Sequence, residues 1–158
     1  KSLGEVYSPN VFHLRCSIIG PETQAHHSLM DWFLGQPPNG SVNGFLNHLW
    51  NGVTTLQFAR LFEGIALSQP ELAHVQHVIP ADRIAKADLL ASLAGNFARP
   101  DIAINRMNAS VAVDRTLVTA HPQANQDLWK RAGYDQPPTT REMVAELAAF
   151  CRKGEART

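Results

Sequence analysis

Cysteine and net charge are both scarce in this sequence. Its 158 residues include two cysteines, Cys16 and Cys151, and neither belongs to a Cys-x-x-Cys or Cys/His ligand pattern. We therefore expect two reduced thiols in a cytoplasmic protein, because a chain of this size does not need disulfides to hold its core. Lys and Arg number 14, and Asp and Glu also number 14. No net charge draws the chain to a nucleic acid or to an anionic membrane.

Long apolar runs and common catalytic motifs are also missing. No stretch approaches the roughly 20 apolar residues that a membrane-spanning helix needs. The N-terminus lacks the basic-then-apolar order of a signal peptide, which predicts a soluble protein that is not exported. The sequence has no G-x-S-x-G, no P-loop and no G-x-G-x-x-G motif. A self-contained hydrolase, kinase or dehydrogenase is therefore not expected.

Apolar spacing and turn signals predict alternating strands and helices. Apolar stretches that end at turn residues predict strands over residues 11–19, 41–45, 73–79 and 101–107. The first of these is apolar enough for burial on both faces. Helices are expected over 28–34 and 125–132, and on the apolar stripes of residues 58–65, 89–97 and 143–151. Residues 108–119 are assigned to a loop. The alternation predicts an α/β domain with a small sheet and flanking helices.

Several helix ends and buried faces can be predicted from single residues. Thr54 or Thr55 can cap the helix of residues 58–65. Thr139 and Glu142 form the capping box of the last helix, and Gly133 suits the C-cap of the helix before it. The side chains expected to be buried are Phe58, Leu61, Phe62 and Ile65 in one helix, and Met143, Val144, Leu147, Phe150 and Cys151 in the last.

The histidine pairs do not predict a metal site. His26 and His27 are adjacent and diverge, while His74 and His77 would point to opposite faces of a strand. Neither pair converges on an ion without a third ligand, so we expect surface or hydrogen-bonded histidines and no metal.

Residues 43–55 concentrate amides, a histidine and a tryptophan in one loop that leads into a helix. The free N–H groups and the dipole of a helix N-terminus favour an anion, so a phosphate-bearing ligand would fit there. The alternative is that Trp50 is buried and that the amides only satisfy the backbone of a turn.

The order of several segments resembles one protein family. Residues 1–6 and 14–22 resemble the extended short-chain dehydrogenases/reductases just after their catalytic Tyr-x-x-x-Lys motif. Residues 47–53, 114–117, 132–134 and the pair Pro137-Pro138 resemble the sugar-nucleotide reductases similar to dTDP-4-dehydrorhamnose reductase. The resemblance spans nearly the whole chain. It implies the C-terminal part of an extended Rossmann-type reductase, without the N-terminal dinucleotide-binding half.

The resemblance also implies roles for single residues. Lys1 would be the catalytic lysine, which bonds the ribose of NAD or NADP and lowers the pKa of the catalytic tyrosine. His48 stands about where related epimerases have an arginine on the diphosphate, and Arg115 resembles a later arginine with that duty. The implied cofactor-binding residues are Lys1, Ser17, Ile18 and Ile19, and the implied substrate-binding residues are Glu22, His27, His48, Trp50 and Arg115.

The implied function is the binding of a nucleoside-diphosphate 4-keto sugar by an NAD(P)-dependent reductase of surface polysaccharide biosynthesis. Residues 1–21 would end the Rossmann half, residues 22–152 would bind the sugar nucleotide, and residues 153–158 would fray. The implied partner is the N-terminal half of the same protein, without which the chain should not turn over and could form homo-oligomers. The alternatives are a nucleotide-sugar epimerase or dehydratase, or a non-catalytic binding domain that kept the fold.

Overall fold

Strands and helices alternate along the chain, as the sequence predicts. The computed structural model describes residues 4–9, 11–22, 24 and 28–155, and the elements below belong to these ranges. The strands are β1 (His13–Arg15), β2 (Ile18–Ile19), β3 (Ser41–Phe45), β4 (His48–Trp50), β5 (Val53–Thr54), β6 (Val75–His77), β7 (Ile84–Ala85), β8 (Ala103–Met107) and β9 (Val113–Arg115). The helices are α1 (Leu29–Leu34), α2 (Thr55–Ser68), α3 (Lys86–Asn96), α4 (Pro122–Arg131) and α5 (Thr140–Glu155).

The strands form small, mostly parallel sheets. Strands β1 and β6, β2 and β5, and β3 and β8 pair in parallel, and β7-β4-β9 form a three-stranded sheet. In that sheet β4 runs antiparallel to β7 and parallel to β9. The predicted α/β class is confirmed. Strand β9 lies inside residues 108–119, so the prediction of a loop there is wrong for its middle part.

The first predicted strand is divided in two. Strand β1 pairs with β6 and strand β2 pairs with β5, with Cys16 and Ser17 between them. The expected burial on both faces is wrong, because the side chains of Phe12 and Ile18 are 45% and 43% exposed. Among the described residues each of these strands has one neighbour, so its other edge remains open.

Helix α5 joins two clusters of buried side chains in the described part of the chain. Val144 and Leu147 pack in the cluster that contains Phe33 and Leu90, while Met143 packs with Trp129 in the other. Adjacent helical residues point about 100° apart, so Met143 and Val144 can serve different clusters. Helices α1 and α3 complete the first cluster, which contains Phe33 and Leu90. Helices α2 and α4 complete the second cluster, which contains Trp129. Cys151 and Cys16 pack at the edges of the first and second cluster as thiols.

Local sequence signals correctly predict the N-terminal caps of α2 and α5 and the end of α4, whereas α4 begins at Pro122 and not at Asn125. Thr54 is the N-cap of α2. The backbone N–H of Thr139 donates to Glu142 Oε2 at 2.7 Å, and the N–H of Glu142 donates to Thr139 Oγ1 at 3.3 Å, which is a capping box. The hydrogen bond from the Thr139 N–H lowers the pKa of Glu142. Gly133 has φ 90° after α4, and the N–H of Tyr134 donates to the Trp129 carbonyl at 3.0 Å, as in a Schellman motif.

Two residues of the predicted buried stripes are instead exposed. Phe62 and Phe150 are 61% and 60% exposed, whereas Leu61 and Ile65 on α2 are buried. The stripe of α2 also includes Gly64, which lies against the C-terminal end of α4. This close approach turns the helix so that Phe62 faces away from the core. Within the described ranges, no helix has both the length and the apolar content to cross a membrane.

A pair of glycine substitutions tests how α2 packs on α4. A Cβ at Gly64 would lie 2.6 Å from the Arg131 carbonyl oxygen, whereas a Cβ at Gly95 in α3 meets nothing within 4 Å. We expect Gly64→Ala to reduce the free energy of unfolding by about 1–3 kcal/mol because backbone atoms must move apart. Gly95→Ala should instead raise it by about 0.5–1 kcal/mol through helix propensity. Urea denaturation of both variants measures the difference. Equal effects of the two substitutions would contradict the packing.

Candidate functional site

A cleft of about 560 Å³ opens beside the sheet β7-β4-β9. Its wall combines the segment after β1, the start of α1, strand β4, the first residue of α3 and strand β9. The wall includes residues that the sequence singled out for cofactor or substrate binding: Ser17, Ile18, Ile19, Glu22, His48, Trp50 and Arg115. These residues are therefore brought together. Lys1 and His27 lie outside the described residues, and the roles of the whole set stay predictions.

Trp50 ties the wall of this cleft to the segment between β1 and β2. Its indole Nε1–H donates to Ser17 Oγ at 2.7 Å, and its ring is half-buried. A Cβ at Gly52 would lie 2.1 Å from the Trp50 ring and 2.2 Å from the Ser17 carbonyl oxygen. Only glycine allows the chain to pass so close to both groups. The position of Ser17 in the cleft thus depends on Trp50 and on Gly52.

Two asparagine side chains hold the segment that carries Arg115. The Asn47 amide accepts from the Ala109 N–H at 2.9 Å and donates to the Ala109 carbonyl at 2.8 Å. The Asn51 amide does the same with Leu117, at 2.7 and 2.8 Å. These bonds flank the pairing of β4 with β9. The alternative that the loop amides satisfy backbone groups is therefore correct for these two residues. Their hydrogen bonds also hold the strand that carries Arg115 in place.

Arg115 carries a charge that no carboxylate neutralises within the described ranges. Its neighbour Asp114 accepts instead from Thr116, at 2.7 Å from the hydroxyl and 2.9 Å from the backbone N–H. The Thr116 hydroxyl and N–H lower the pKa of Asp114. No ion pair to Arg115 occurs in this part of the chain. An unneutralised guanidinium in a cleft wall is suited to bind an anion.

Lys86 is a cleft residue that the sequence analysis missed. It is the first residue of α3, and its ammonium lies 5.1 Å from the ring centroid of Trp32 and 5.3 Å from that of Phe45. Burial lowers the pKa of Lys86, and the positive charge of Arg115 lowers it further. A positive charge at a helix N-terminus is unfavourable because it opposes the helix dipole. This unfavourable position was the sequence feature that could have singled out Lys86.

His48 and Glu22 are both held by hydrogen bonds. His48 Nε2 lies 3.2 Å from the Val111 carbonyl oxygen, and its ring packs 4.6 Å from that of Phe45. Glu22 Oε2 accepts from the N–H of Ser28 at 3.1 Å, and the Glu22 N–H donates to Asp31 Oδ2 at 2.9 Å. The start of α1 therefore fixes Glu22 at the cleft, while one ring nitrogen of His48 is engaged by the backbone.

The N-terminus of α2 does not serve the cleft. Its N-cap Thr54 and Gln57 of its first turn are fully buried and bond each other's side chains. No residue of α2 belongs to the described wall of the cleft. The cations of the cleft lie on β9 and α3 and not at this helix N-terminus, where a phosphate stays a prediction.

A second cleft, of about 520 Å³, provides a contrast. Its wall includes His13, Arg15 and His77, and here the arginine forms an ion pair with Glu5. Its guanidinium is thus neutralised, unlike that of Arg115. Across the ranges that the structure describes, no three His, Cys, Asp or Glu side chains gather where a metal ion could bind. His26 and His27 lie outside these ranges.

The fold is similar to part of the fold of solved dTDP-4-dehydrorhamnose reductases and of a UDP-galactose 4-epimerase. The dTDP-4-dehydrorhamnose reductase of Yersinia enterocolitica matches with a TM-score of 0.61 and 11% identity, over 86% of this chain and 48% of that chain. The Clostridium acetobutylicum enzyme matches with a TM-score of 0.60 and 10% identity, over 88% and 48%. A UDP-galactose 4-epimerase matches with a TM-score of 0.52 and 16% identity, over 89% and 45%.

These likenesses establish the fold. The chain spans about half the length of the solved structures it matches. No model of a known protein family and no curated protein matches the sequence significantly. The predicted α/β fold with small sheets and flanking helices is confirmed.

Proposed function

We propose that this chain is the substrate-binding part of an NAD(P)-dependent reductase that acts on a nucleoside-diphosphate 4-keto sugar. The observation that carries the proposal is the cleft beside β4, where residues implied by the resemblance line one wall around the unneutralised guanidinium of Arg115. A guanidinium can bind phosphate oxygens through two parallel hydrogen bonds. The fold and the cleft together favour a sugar nucleotide as the ligand.

The sugar would lie against the part of the cleft wall that includes Glu22 and Trp50. Glu22 is held there by α1, and a carboxylate accepts hydrogen bonds from sugar hydroxyls. The ring of Trp50 forms part of the wall, and its fixed Nε1 keeps the ring from rotating. Arg115 would thus anchor the diphosphate while Glu22, Trp50 and His48 orient the sugar. Residues 22–152 would form this sugar-nucleotide part of the protein.

The cofactor would lie along the segment from Ser17 to Ile19. Strand β2 is paired with β5 on one side, and the 43% exposed side chain of Ile18 offers an apolar surface to a flat ring. This surface fits the nicotinamide of NAD or NADP, which would supply the hydride when bound. Ser17 is fixed by Trp50, so cofactor and substrate would share one rigid wall. Lys1 would complete the site as the implied partner of the catalytic tyrosine.

The exposed apolar surface near the N-terminus supports a missing partner domain. Val6, Tyr7 and Phe12 are 57%, 80% and 45% exposed, and among the described residues β1 and β2 each have one open edge. Exposed apolar residues next to an open strand edge favour an interface. We propose that the dinucleotide-binding half of the same protein covers this surface, with residues 1–21 as its continuation. This half would also supply the catalytic tyrosine.

Self-association should reveal this surface. We expect the isolated chain to form dimers or larger species, because it buries the surface against another copy. The variant Phe12→Asn should remain monomeric at concentrations where the unmodified chain associates, whereas Leu67→Ser, which removes an 81% exposed side chain from α2, should not. Light scattering over a concentration series measures both. A monomeric unmodified chain would contradict the proposal.

Ligand binding tests the proposed function directly. Titration calorimetry with a dTDP-sugar and with UDP-glucose should give heat of binding, and Arg115→Ala should abolish most of it because the phosphates lose their partner. Arg152→Ala removes an exposed arginine of α5 that is not part of the cleft wall and is the matched control. An Arg115→Ala protein that still binds like the control would refute the role of Arg115. No binding of either sugar nucleotide would favour the alternative of a non-catalytic domain that kept the fold.

The same titrations bear on the other alternative. An epimerase or dehydratase would share the sugar-nucleotide cleft, and the fold is also similar to that of a UDP-galactose 4-epimerase. A reductase releases a reduced sugar and an oxidised cofactor, whereas an epimerase or dehydratase regenerates its cofactor. Net oxidation of NADH or NADPH by the joined halves therefore distinguishes them.

A further inference from the structure

Lys86 and Arg115 approach the cleft from opposite sides of Trp50. In the sheet β7-β4-β9, Trp50 pairs with Ile84 on one side and with Arg115 on the other. Lys86 follows β7 directly and begins α3. Both side chains belong to the wall of the same cleft. Two cations from distant parts of the sequence are thus brought together by one central strand.

The acidic residues nearest to these cations in sequence have other partners. Asp88 pairs with Arg106 at 3.0 Å and with Arg141 at 3.5 Å, and Asp114 accepts from Thr116. Lys86 lies over two aromatic rings, and in the described chain neither it nor Arg115 forms an ion pair. The fold therefore keeps two positive charges in one cleft without a counter-charge on either.

We infer that Lys86 and Arg115 together bind the two phosphate groups of a diphosphate ester, one cation to each phosphate. The inference rests on the proposed function and adds Lys86 as a second ligand-binding residue. Strands β7 and β9 lie two strand spacings apart, roughly 10 Å. Cations that enter from positions so far apart suit an anion that extends over two phosphates better than a single compact phosphate.

The aromatic rings give Lys86 a defined position. Trp32 and Phe45 lie within cation–π distance of its ammonium, and its aliphatic stem can pack along them. The repulsion between the Lys86 ammonium and the Arg115 guanidinium would be offset when an anion binds between them. A ligand with at least two negative charges could neutralise both cations.

The pH dependence of binding separates Lys86 from its neighbours. Arg115 on β9, His48 on β4 and Glu22 before α1 share the cleft wall with Lys86, and Asp88 on its own helix is paired with arginines. Burial and Arg115 lower the pKa of Lys86, so this lysine loses its proton at a lower pH than an exposed lysine. Affinity for an anion should therefore be full below the pKa of Lys86 and should fall as the pH rises through it.

Calorimetry with simple anions tests the inference on the chain as it is. We compare pyrophosphate, orthophosphate and UDP-glucose binding to the unmodified chain, Lys86→Met, Lys86→Arg and Arg115→Met. Methionine keeps a stem that packs on the rings and removes the charge, and Lys130→Met on the exposed face of α4 is the matched control. We expect Lys86→Met and Arg115→Met each to weaken pyrophosphate binding about tenfold or more, which is about 1.4 kcal/mol. Orthophosphate should be affected less, and Lys86→Arg and Lys130→Met should bind normally.

The outcomes separate this inference from the proposed function. Pyrophosphate binding by Lys86→Met within about twofold of the unmodified chain would overturn the inference. A folded chain, as judged by circular dichroism, that binds no pyrophosphate would do the same. Loss of pyrophosphate binding in Lys86→Met, with no UDP-glucose bound by any variant, would support the two-cation site and contradict the proposed function. If UDP-glucose binding is lost in Arg115→Met but kept in Lys86→Met, the proposed function is supported and the two-cation site is contradicted.

A pH series gives a second readout that a structural defect would not reproduce. Pyrophosphate affinity should decline more steeply at alkaline pH for the unmodified chain than for Lys86→Met, because only the unmodified chain loses the charge of Lys86. The ionisation of pyrophosphate itself affects both proteins equally. Parallel pH profiles for the two proteins would contradict a direct contact between Lys86 and the anion.

Discussion

The hydrogen-bonded pairing of β4 with its neighbours is the interaction on which the candidate site depends. This short strand lies between β7 and β9, so it brings Lys86 and Arg115 to one cleft. Its tryptophan also bonds Ser17, which adds the segment between β1 and β2 to the same wall. The amides of Asn47 and Asn51 at either end of the strand hold the chain on both sides of β9. A strand of three residues therefore fixes groups that are far apart in the sequence.

The sequence predicts structural features that depend on residues close together in the chain, and it misses those that depend on residues far apart. The cap at Thr54, the capping box of Thr139 and Glu142 and the turn at Gly133 depend on residues within one turn of helix, and they were predicted correctly. Strand β9 was missed because it depends on pairing with β4, more than 60 residues earlier in the chain. Phe62 was placed in the core because the spacing of α2 does not reveal that Gly64 meets α4.

The candidate site shows the same division. His48, Trp50 and Arg115 could be singled out through their resemblance to a known family, and they do line one cleft. Lys86 could not be found in this way, because its proximity to Arg115 arises from the order of the strands β7, β4 and β9. The asparagines look like loop residues in the sequence, and only their paired hydrogen bonds reveal that they position β9.

The central claim is that a sugar nucleotide binds beside β4. Amide chemical shifts of the ¹⁵N-labelled chain, recorded while UDP-glucose is added, test it most directly. We expect the signals of the Trp50 indole N–H, of the β4 and β9 amides and of the first turn of α3 to shift together with one saturation curve. Shifts confined to the second cleft around His13, Arg15 and His77, with those signals unchanged, would contradict it.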